Sequence, residues 1–507
     1  MHVVKLKTSS FLFAVAAWSL LILRFGYRYG TGDQVELLPY TLFLNNPSLY
    51  PHDFFIQGLH DSVPNERTVM ANLLRLFVGN LEMSAFLLQA FSTILLVLGL
   101  EKLTKRFVSN RYLAWAAVLI TLIPLNDFTL GNVELYSECF QASGLSVAVV
   151  IWAINSFLAR NYIWSSVLLS IATFIQLLDG LDVTIVLVAI LFWSVIEKKA
   201  SLKQLLTFVL IYGSTAGVYL IVILLQKTNS SLIDNTRLFE ILFQFRHPHH
   251  FIFSTFLLKK TITFFILSAI AFIYYRRQSK ELFLFTLISA IILVFYIVMV
   301  DVFQVVFVGN FQFYKLTQWI KFLGVVAVFA KLSNWRLPVI DRFEKSFLTL
   351  TICATWSIIF CCRNLLPYQV PFELFNNKKS NEIIVISQLI ERYTAVNSVF
   401  IQPFENTELK FYAQRSSYVE FKANVRNKKF VNEWYSRIQQ VYGVNGKNGV
   451  SGFKLQENGD NYFYHLSYAQ LSALKSKGVT HVLTLKQFPP AIGHVIITSK
   501  NYAVYQL

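Results

Sequence analysis

The sequence predicts an α-helical polytopic membrane protein of about eleven spans, followed by a C-terminal extracytoplasmic α/β domain. Apolar residues gather in span-length blocks, basic residues gather in alternate connections between those blocks, and hydropathy falls after Cys362. A hydrophobic content of 55% with mean hydropathy +0.50 excludes an ordinary soluble globular chain.

The first block, Ser10–Leu23, follows Lys5 and Lys7. It runs past Ala14-Val15-Ala16-Ala17 without a small-residue cleavage site at its end, and so reads as an uncleaved helix rather than a secretory signal. The first outer loop, 30–81, is longer than a helix–helix connection needs. Within it, Asn65–Phe77 is amphipathic, with Val69, Met70, Leu73, Leu74, Leu76 and Phe77 largely on one side. That pattern suits a helix lying in the membrane interface or one packed on the bundle. Further blocks follow at Ser84–Leu100, Tyr112–Leu125, Phe140–Leu158, Tyr162–Leu178 and Val183–Ile196. Between the last two, Asp179-Gly180-Leu181-Asp182 reads as a tight outer turn. Leu205–Leu225, Thr261–Tyr275, Leu282–Val300, Leu316–Ala330 and Phe347–Cys362 complete a transmembrane domain, 1–362.

Lys102, Lys105, Arg106 and Arg111 mark one connection as cytoplasmic, as do Lys198, Lys199 and Lys203, then Arg276, Arg277 and Lys280, then Lys331, Arg336, Arg342 and Lys345. The N-terminus is therefore expected inside and the C-terminal domain outside the plasma (bacterial inner) membrane. These loops, with Lys378, Lys379, Lys410, Lys422, Lys428 and Lys429 further on, account for much of the net charge of +17. Anionic lipid, and no nucleic acid, is the expected partner of that charge. Cys139, Cys353, Cys361 and Cys362 lie in or beside apolar blocks and form no disulfide framework.

In the C-terminal domain, 363–507, strands are expected at Ser398–Ile401, Val479–Leu485, Val495–Ile497 and Tyr502–Tyr505. Helices are expected at Phe430–Tyr442 and Tyr468–Lys477, the second ended by Gly478. Val444–Asp460, rich in Gly and Asn, reads as a mobile loop; Gly443, Gly446 and Gly449 lack the strand-to-helix setting of a phosphate loop.

Candidate chemistry gathers in the outer connections. Asp33 suits a general base at the membrane edge, or a helix N-cap forming a capping box with Glu36. Asp53, flanked by His52 and aromatics, suits a sugar, and equally an interfacial loop without that role. Arg246-His247-Pro248-His249-His250 offers Arg246, His249 and His250 to a phosphate. A metal is the second reading of that string, disfavoured because adjacent His point apart on a helix, and a plain interfacial loop is the third. Glu134 and Glu138 lie one helical turn apart in the second outer loop, and Asp179 and Asp182 flank the third.

Asp33-Gln34, Tyr50-Pro51-His52-Asp53-Phe54 and the Arg246–His250 string, set in this layout, resemble the GT-C superfamily of membrane glycosyltransferases, and most of all a bacterial GT-C-like branch. The resemblance implies transfer of a sugar from a polyprenyl-phosphate donor to a glycan, lipid or protein acceptor. It implies that Asp33 matches the first-loop acid that activates the acceptor or binds a metal, and Glu134 the acid of the second outer loop. The residue chemistry above adds Arg246, His249 and His250 at the donor phosphate, and Asp53 with Glu134 at the acceptor or sugar. A divalent metal, Mg or Mn on Asp33 and Glu36, is the cofactor it admits, although Asp33-Gln34-Val35-Glu36 departs from the Asp-x-Asp of better-known members. The rival expectations are a lipid or polyprenyl-phosphate transporter, with ionisable groups toward the bilayer midplane, and a non-catalytic envelope-assembly protein on the same fold.

Overall fold

A computed structural model describes residues 8–228, 234–334, 382–444 apart from 405, 424 and 426, and 451–507. The expected block Phe347–Cys362 with its three cysteines, the boundary near 362, Lys5, Lys7, Arg336, Arg342, Lys345, Lys378, Lys379, Gly446 and Gly449 lie outside the described residues.

Each apolar block up to Leu316–Ala330 is centred on helix. The helices that match them are α1 (Thr8–Phe25), α5 (Leu81–Thr104), α6 (Arg111–Leu122), α7 (Ala142–Leu158), α8 (Tyr162–Ile175), α9 (Leu177–Ile196), α10 and α11 (Leu202–Tyr212 and Val218–Thr228), α14 (Leu258–Gln278), α15 (Lys280–Ile297) and α17 (Thr317–Asn334), with the short α12 (Asn235–Phe239) and α16 (Val306–Gly309) in the connections. Polar residues start them: Asn110 accepts from Tyr112 N and Leu113 N at 2.9 and 3.1 Å, and Ser201 forms a capping box with Gln204. Seven helical segments among the described residues are long and apolar enough to cross a membrane, whereas α6, α7 and α8 are shorter. Leu206, Leu210, Ile221, Ile262, Phe265, Ile273, Ile291 and Val294 stay exposed on their flanks, an apolar belt that water would not tolerate.

Contacts sort the connections into two sets. Arg28 N donates to Glu138 O (3.0 Å), Gln34 Nε2 to Phe140 O (3.1 Å), and Lys260 pairs with Asp127 (2.8 Å). In the other set, Ser109 Oγ meets Ser333 Oγ at 2.8 Å, Arg106 donates to Asn155 O at 3.0 Å, and Lys280 pairs with Glu197.

The turn expected at Asp179-Gly180-Leu181-Asp182 is absent. Those residues form the start of α9, and the chain breaks earlier, at Gln176 (φ −145°, ψ 110°). Helix prevails because Gly180 fits against the α8 backbone and Asp179 finds Lys315 Nζ at 2.8 Å. In the first loop, α2 (Gln34–Asn45), α3 (Phe54–His60) and α4 (Thr68–Arg75) form. Helix α4 buries Met70, Ala71 and Leu74 against the protein, while Leu73, Leu76 and Phe77 remain exposed, so the amphipathic stretch divides its apolar residues between bundle and surroundings.

The C-terminal domain holds a mixed five-stranded sheet, β1 (Val399–Ile401), β2 (Ser416–Ser417), β3 (His481–Leu485), β4 (His494–Thr498) and β5 (Tyr502–Gln506), in the order β2-β1-β3-β5-β4. Strands β2, β1 and β3 run parallel, and β5 is antiparallel to both β3 and β4. Helices α18 (Glu382–Tyr393), α19 (Leu409–Ala413), α20 (Lys428–Tyr442), α21 (Gln456–Tyr464) and α22 (Tyr468–Ser476) accompany it. Helix α21 and the turn before it replace much of the loop expected over Val444–Asp460, with Phe463 buried and Gly459 close against Phe404. The domain docks on the first loop. Phe54 stacks on Phe430 (4.3 Å between centroids), Tyr412 Oη donates to Tyr29 O (3.2 Å), and Gly30, at φ +73°, lies where a Cβ would come within 2.8 Å of that hydroxyl.

Candidate functional site

Asp33 occupies the N-cap position of α2, but its carboxylate makes no cap hydrogen bond and the capping box with Glu36 does not form. The side chain remains 62% exposed, with Lys422 Nζ of the C-terminal domain 3.7 Å from Oδ1. Around it, Gly32 packs on Cys139 and Gln141, and Gln34 bridges Gly30 N and Phe140 O, so the first and second loops are fastened together beside this acid.

Glu36 points inward instead. Its carboxylate pairs with Arg67 and lies 3.9 Å from Arg246 Nη2, with 7% of the side chain exposed. Two guanidiniums on Glu36 and an ammonium near Asp33 make a poor setting for Mg or Mn, which require anionic oxygen donors left uncompensated. These residues do not fit the divalent-metal site that the resemblance admits. Arg246 is likewise committed: it donates to Lys422 O, and from Nε to Phe421 O at 3.4 Å, and lies over the Trp434 ring at 5.7 Å. With 8% of the residue exposed, its fork holds the C-terminal domain rather than facing an open phosphate site.

The histidines beyond Arg246 converge. His247 leaves the helical track (φ −135°, ψ 49°), and Pro248 opens the single turn α13 (Pro248–Phe251). The rings of His247 lie 5.6 Å from those of both His249 and His250, which are 4.2 Å apart. One ligand nitrogen or its equivalent from each of the three falls within 4.8 Å of the others. The adjacent rings of His249 and His250 thus do not point apart on the single turn that carries them, and His247, outside that turn, adds a third ring. Burial first, then His250 and Arg246, lowers the His249 imidazole to about 4. Burial also lowers His250, against the opposing bond of its Nδ1 to Gly131 O at 2.7 Å. Neutral rings of this kind give a phosphate less than the charged donors expected from sequence.

Glu134 and Glu138 are not on a helix; residues 123–141 form a loop closed by Asn126, whose Nδ2 donates to Tyr136 O (2.7 Å) and Glu134 Oε2 (3.4 Å). Glu134 reaches solvent yet sits low among surrounding protein. Desolvation, reinforced by Glu138, Asp127 and Asp33 against Lys321, raises its carboxyl to about 7. Asp33, Glu134 and the histidines therefore share one end of the bundle.

Asp53 does not join them. It is fully buried, caps α3 through Ile56 N (2.9 Å), accepts from Ser417 N (2.8 Å) and pairs with Lys410 (3.2 Å), which also meets Glu420 at 2.6 Å. An acceptor sugar cannot reach it in this arrangement. Burial alone would lower the Lys410 ammonium, but Asp53 and Glu420 raise it; burial pushes the Glu420 carboxyl up, against the pull of Lys410. A separate cleft of about 320 Å³ lies between the first loop and α18–α19, lined by Tyr29, Glu82, Glu391 and Tyr412 among others, and none of the expected site residues lines it.

Sequence reasoning missed the roles of two buried lysines, Lys410 and Lys321, and of the half-buried Lys315; Lys410, expected among the charges that meet anionic lipid, is enclosed by protein instead. Lys410 holds the acid pair, Lys315 holds Asp179, and Lys321 donates to Leu125 O and Asn126 O at 2.6 and 2.7 Å. The signal for Lys321 was present, as a lone cation inside the block Leu316–Ala330.

A family model described as a domain of unknown function, DUF6798, matches residues 382–441. That stretch runs from α18 through most of α20 and contains Lys410, Glu420 and Lys422, the side chains that meet Asp53 and Asp33. No curated protein matches the chain.

Proposed function

We propose that this protein is an integral-membrane glycosyltransferase that takes a sugar from a polyprenyl-phosphate donor at the outer face of the plasma membrane. The observation that carries the reading is Asp33: an N-cap residue whose carboxylate is left uncapped and exposed, 3.7 Å from Lys422, beside the Glu134 loop. A local structural role would have used that carboxylate on the α2 amides. As a base, Asp33 takes the proton of an acceptor hydroxyl, and Lys422 meets negative charge on the donor phosphate. Glu134, with its raised carboxyl, is suited to carry a proton at the same end. The alternation of basic and acidic connections, and their grouping into two contacting sets, supports an inside N-terminus and an outside C-terminal domain.

Purified protein in nanodiscs, supplied with short-chain polyprenyl-phosphate sugars and a panel of glycan, lipid and protein acceptors bearing free hydroxyls, is expected to release polyprenyl phosphate as the sugar passes to an acceptor. Asp33→Asn is expected to keep the wild-type unfolding temperature and lose roughly a hundredfold or more in turnover. Release undiminished in Asp33→Asn would refute Asp33 as the base.

A lipid or polyprenyl-phosphate transporter is the second reading, favoured by one observation. Asp179, Asp182 and Lys315 are ionisable groups inside the helical bundle, and Asp182 has no hydrogen-bond partner among the described residues. Transbilayer movement of a fluorescent polyprenyl phosphate in proteoliposomes, abolished by Asp182→Asn and untouched by Asp33→Asn, would favour it over transfer.

A further inference from the structure

The histidine cluster carries an inference that goes beyond the transfer reading. We infer that His247, His249 and His250 form a binding site for a borderline transition-metal ion, Zn²⁺ in the first instance, with a fourth coordination position open to water or a ligand oxygen.

Geometry is the first support. Tetrahedral coordination at a Zn–N length near 2.05 Å requires donor nitrogens about 3.3 Å apart. The three histidines already bring ligand atoms within 4.8 Å of one another, with ring centroids 4.2 to 5.6 Å apart. One short stretch of backbone supplies all three rings, the non-helical His247 and the single turn opened by Pro248.

The surroundings supply the orienting contact that metal-bound imidazoles need. A carbonyl oxygen only accepts, so His250 Nδ1, 2.7 Å from Gly131 O, carries the proton and Nε2 keeps the lone pair. Gly452 of the C-terminal domain lies against His249 Nδ1, so the cluster is walled by a second segment. The neighbouring Arg246 would repel a cation, but Glu36 faces that guanidinium at 3.9 Å. An all-imidazole set selects zinc, copper, cobalt or nickel over magnesium and calcium, which prefer oxygen. Three protein ligands rather than four correspond to an open, reactive site rather than a closed structural one.

Full-length protein, washed with a chelator in detergent and dialysed against a small excess of zinc, is assayed for retained metal by mass spectrometry. Wild type is expected to hold about one zinc per chain. His249→Ala and His247→Ala are expected to bind roughly a hundredfold more weakly or worse. Co²⁺ should give visible d–d absorption in wild type that both variants lose, and a large excess of Mg²⁺ should displace neither ion. Unfolding temperatures in chelator separate misfolding from ligand loss, and His249→Cys, which restores a donor, should recover zinc. Equal metal content in wild type and both alanine variants, or displacement by Mg²⁺, overturns the inference. Retained metal is read without any sugar donor, so this result and the failure or success of the transfer assay remain distinguishable.

Discussion

Replacing Lys410 by methionine would leave Asp53 and Glu420 facing each other in an interior that excludes water. The ammonium holds both carboxylates, at 3.2 and 2.6 Å, and removing one member of such a buried group costs about 3–5 kcal/mol. Denaturant unfolding of Lys410→Met should register that loss, while Lys429→Met, outside any such group, should not. Glu134 makes a prediction about pH. Its carboxyl is raised from 4.5 to about 7, so the ionised form accumulates as pH rises through about 7. Turnover that needs Glu134 free to accept a proton should climb through that range, and Glu134→Gln should abolish the limb; burial first, then Glu138 and Asp127 against Lys321, sets it. In stability the sign is opposite: a carboxyl raised on folding contributes most below 4.5, and that contribution fades as pH passes about 7. Asp33 was legible in the sequence as acid or cap, and the uncapped carboxylate speaks only to the second: it does not cap α2. The meeting of three histidine rings was not legible, because it depends on one backbone turn at His247.

Among the elements, the junction of α8 and α9 has the tightest tolerance. A Cβ at Gly180 would lie 2.5 Å from Thr173 N and 2.7 Å from Leu169 O, and backbone atoms cannot step aside. Gly180→Ala should therefore destabilise by about 1–3 kcal/mol through forced separation of the helices. Gly144→Ala, where nothing lies within 4 Å of the added carbon, should be neutral or slightly stabilising in the same unfolding assay. Helix positions were legible because apolar blocks and polar caps agree, as at Asn110 and Ser201. The Asp-Gly-Leu-Asp string misled for a local reason: its residues favour turns in water, and what makes them acceptable in helix, the fit of Gly180 on α8 and the pairing of Asp179 with Lys315, lies elsewhere in the chain. Strand β2 gave no signal, since two serines carry no alternation.

For the whole molecule, the proposed orientation is open to a direct test. A reporter fused after Leu507 should be accessible from outside, and one inserted at Ser279 only from the cytoplasm. Accessibility of both from the same side would refute that orientation and, with it, an outward-facing site. Helical content and the change of character in the C-terminal part were visible in the pattern of hydropathy. The seating of that domain on the first loop was not, since Arg246, Asp53 and Lys410 look like surface or ligand-facing residues until their partners are known.

The bond from Ser417 N to Asp53 spans 364 residues of sequence. At about 5–20 residues per second, a ribosome needs roughly 20–70 s to supply the second half of that contact after the first has emerged. During this interval the Asp53 carboxylate stays hydrated and the loop around it unassembled, whatever the state of the helices already inserted. Completion of this loop is thus timed by translation of the segment around Ser417, and a nascent chain halted before Lys410 would present the loop unfinished.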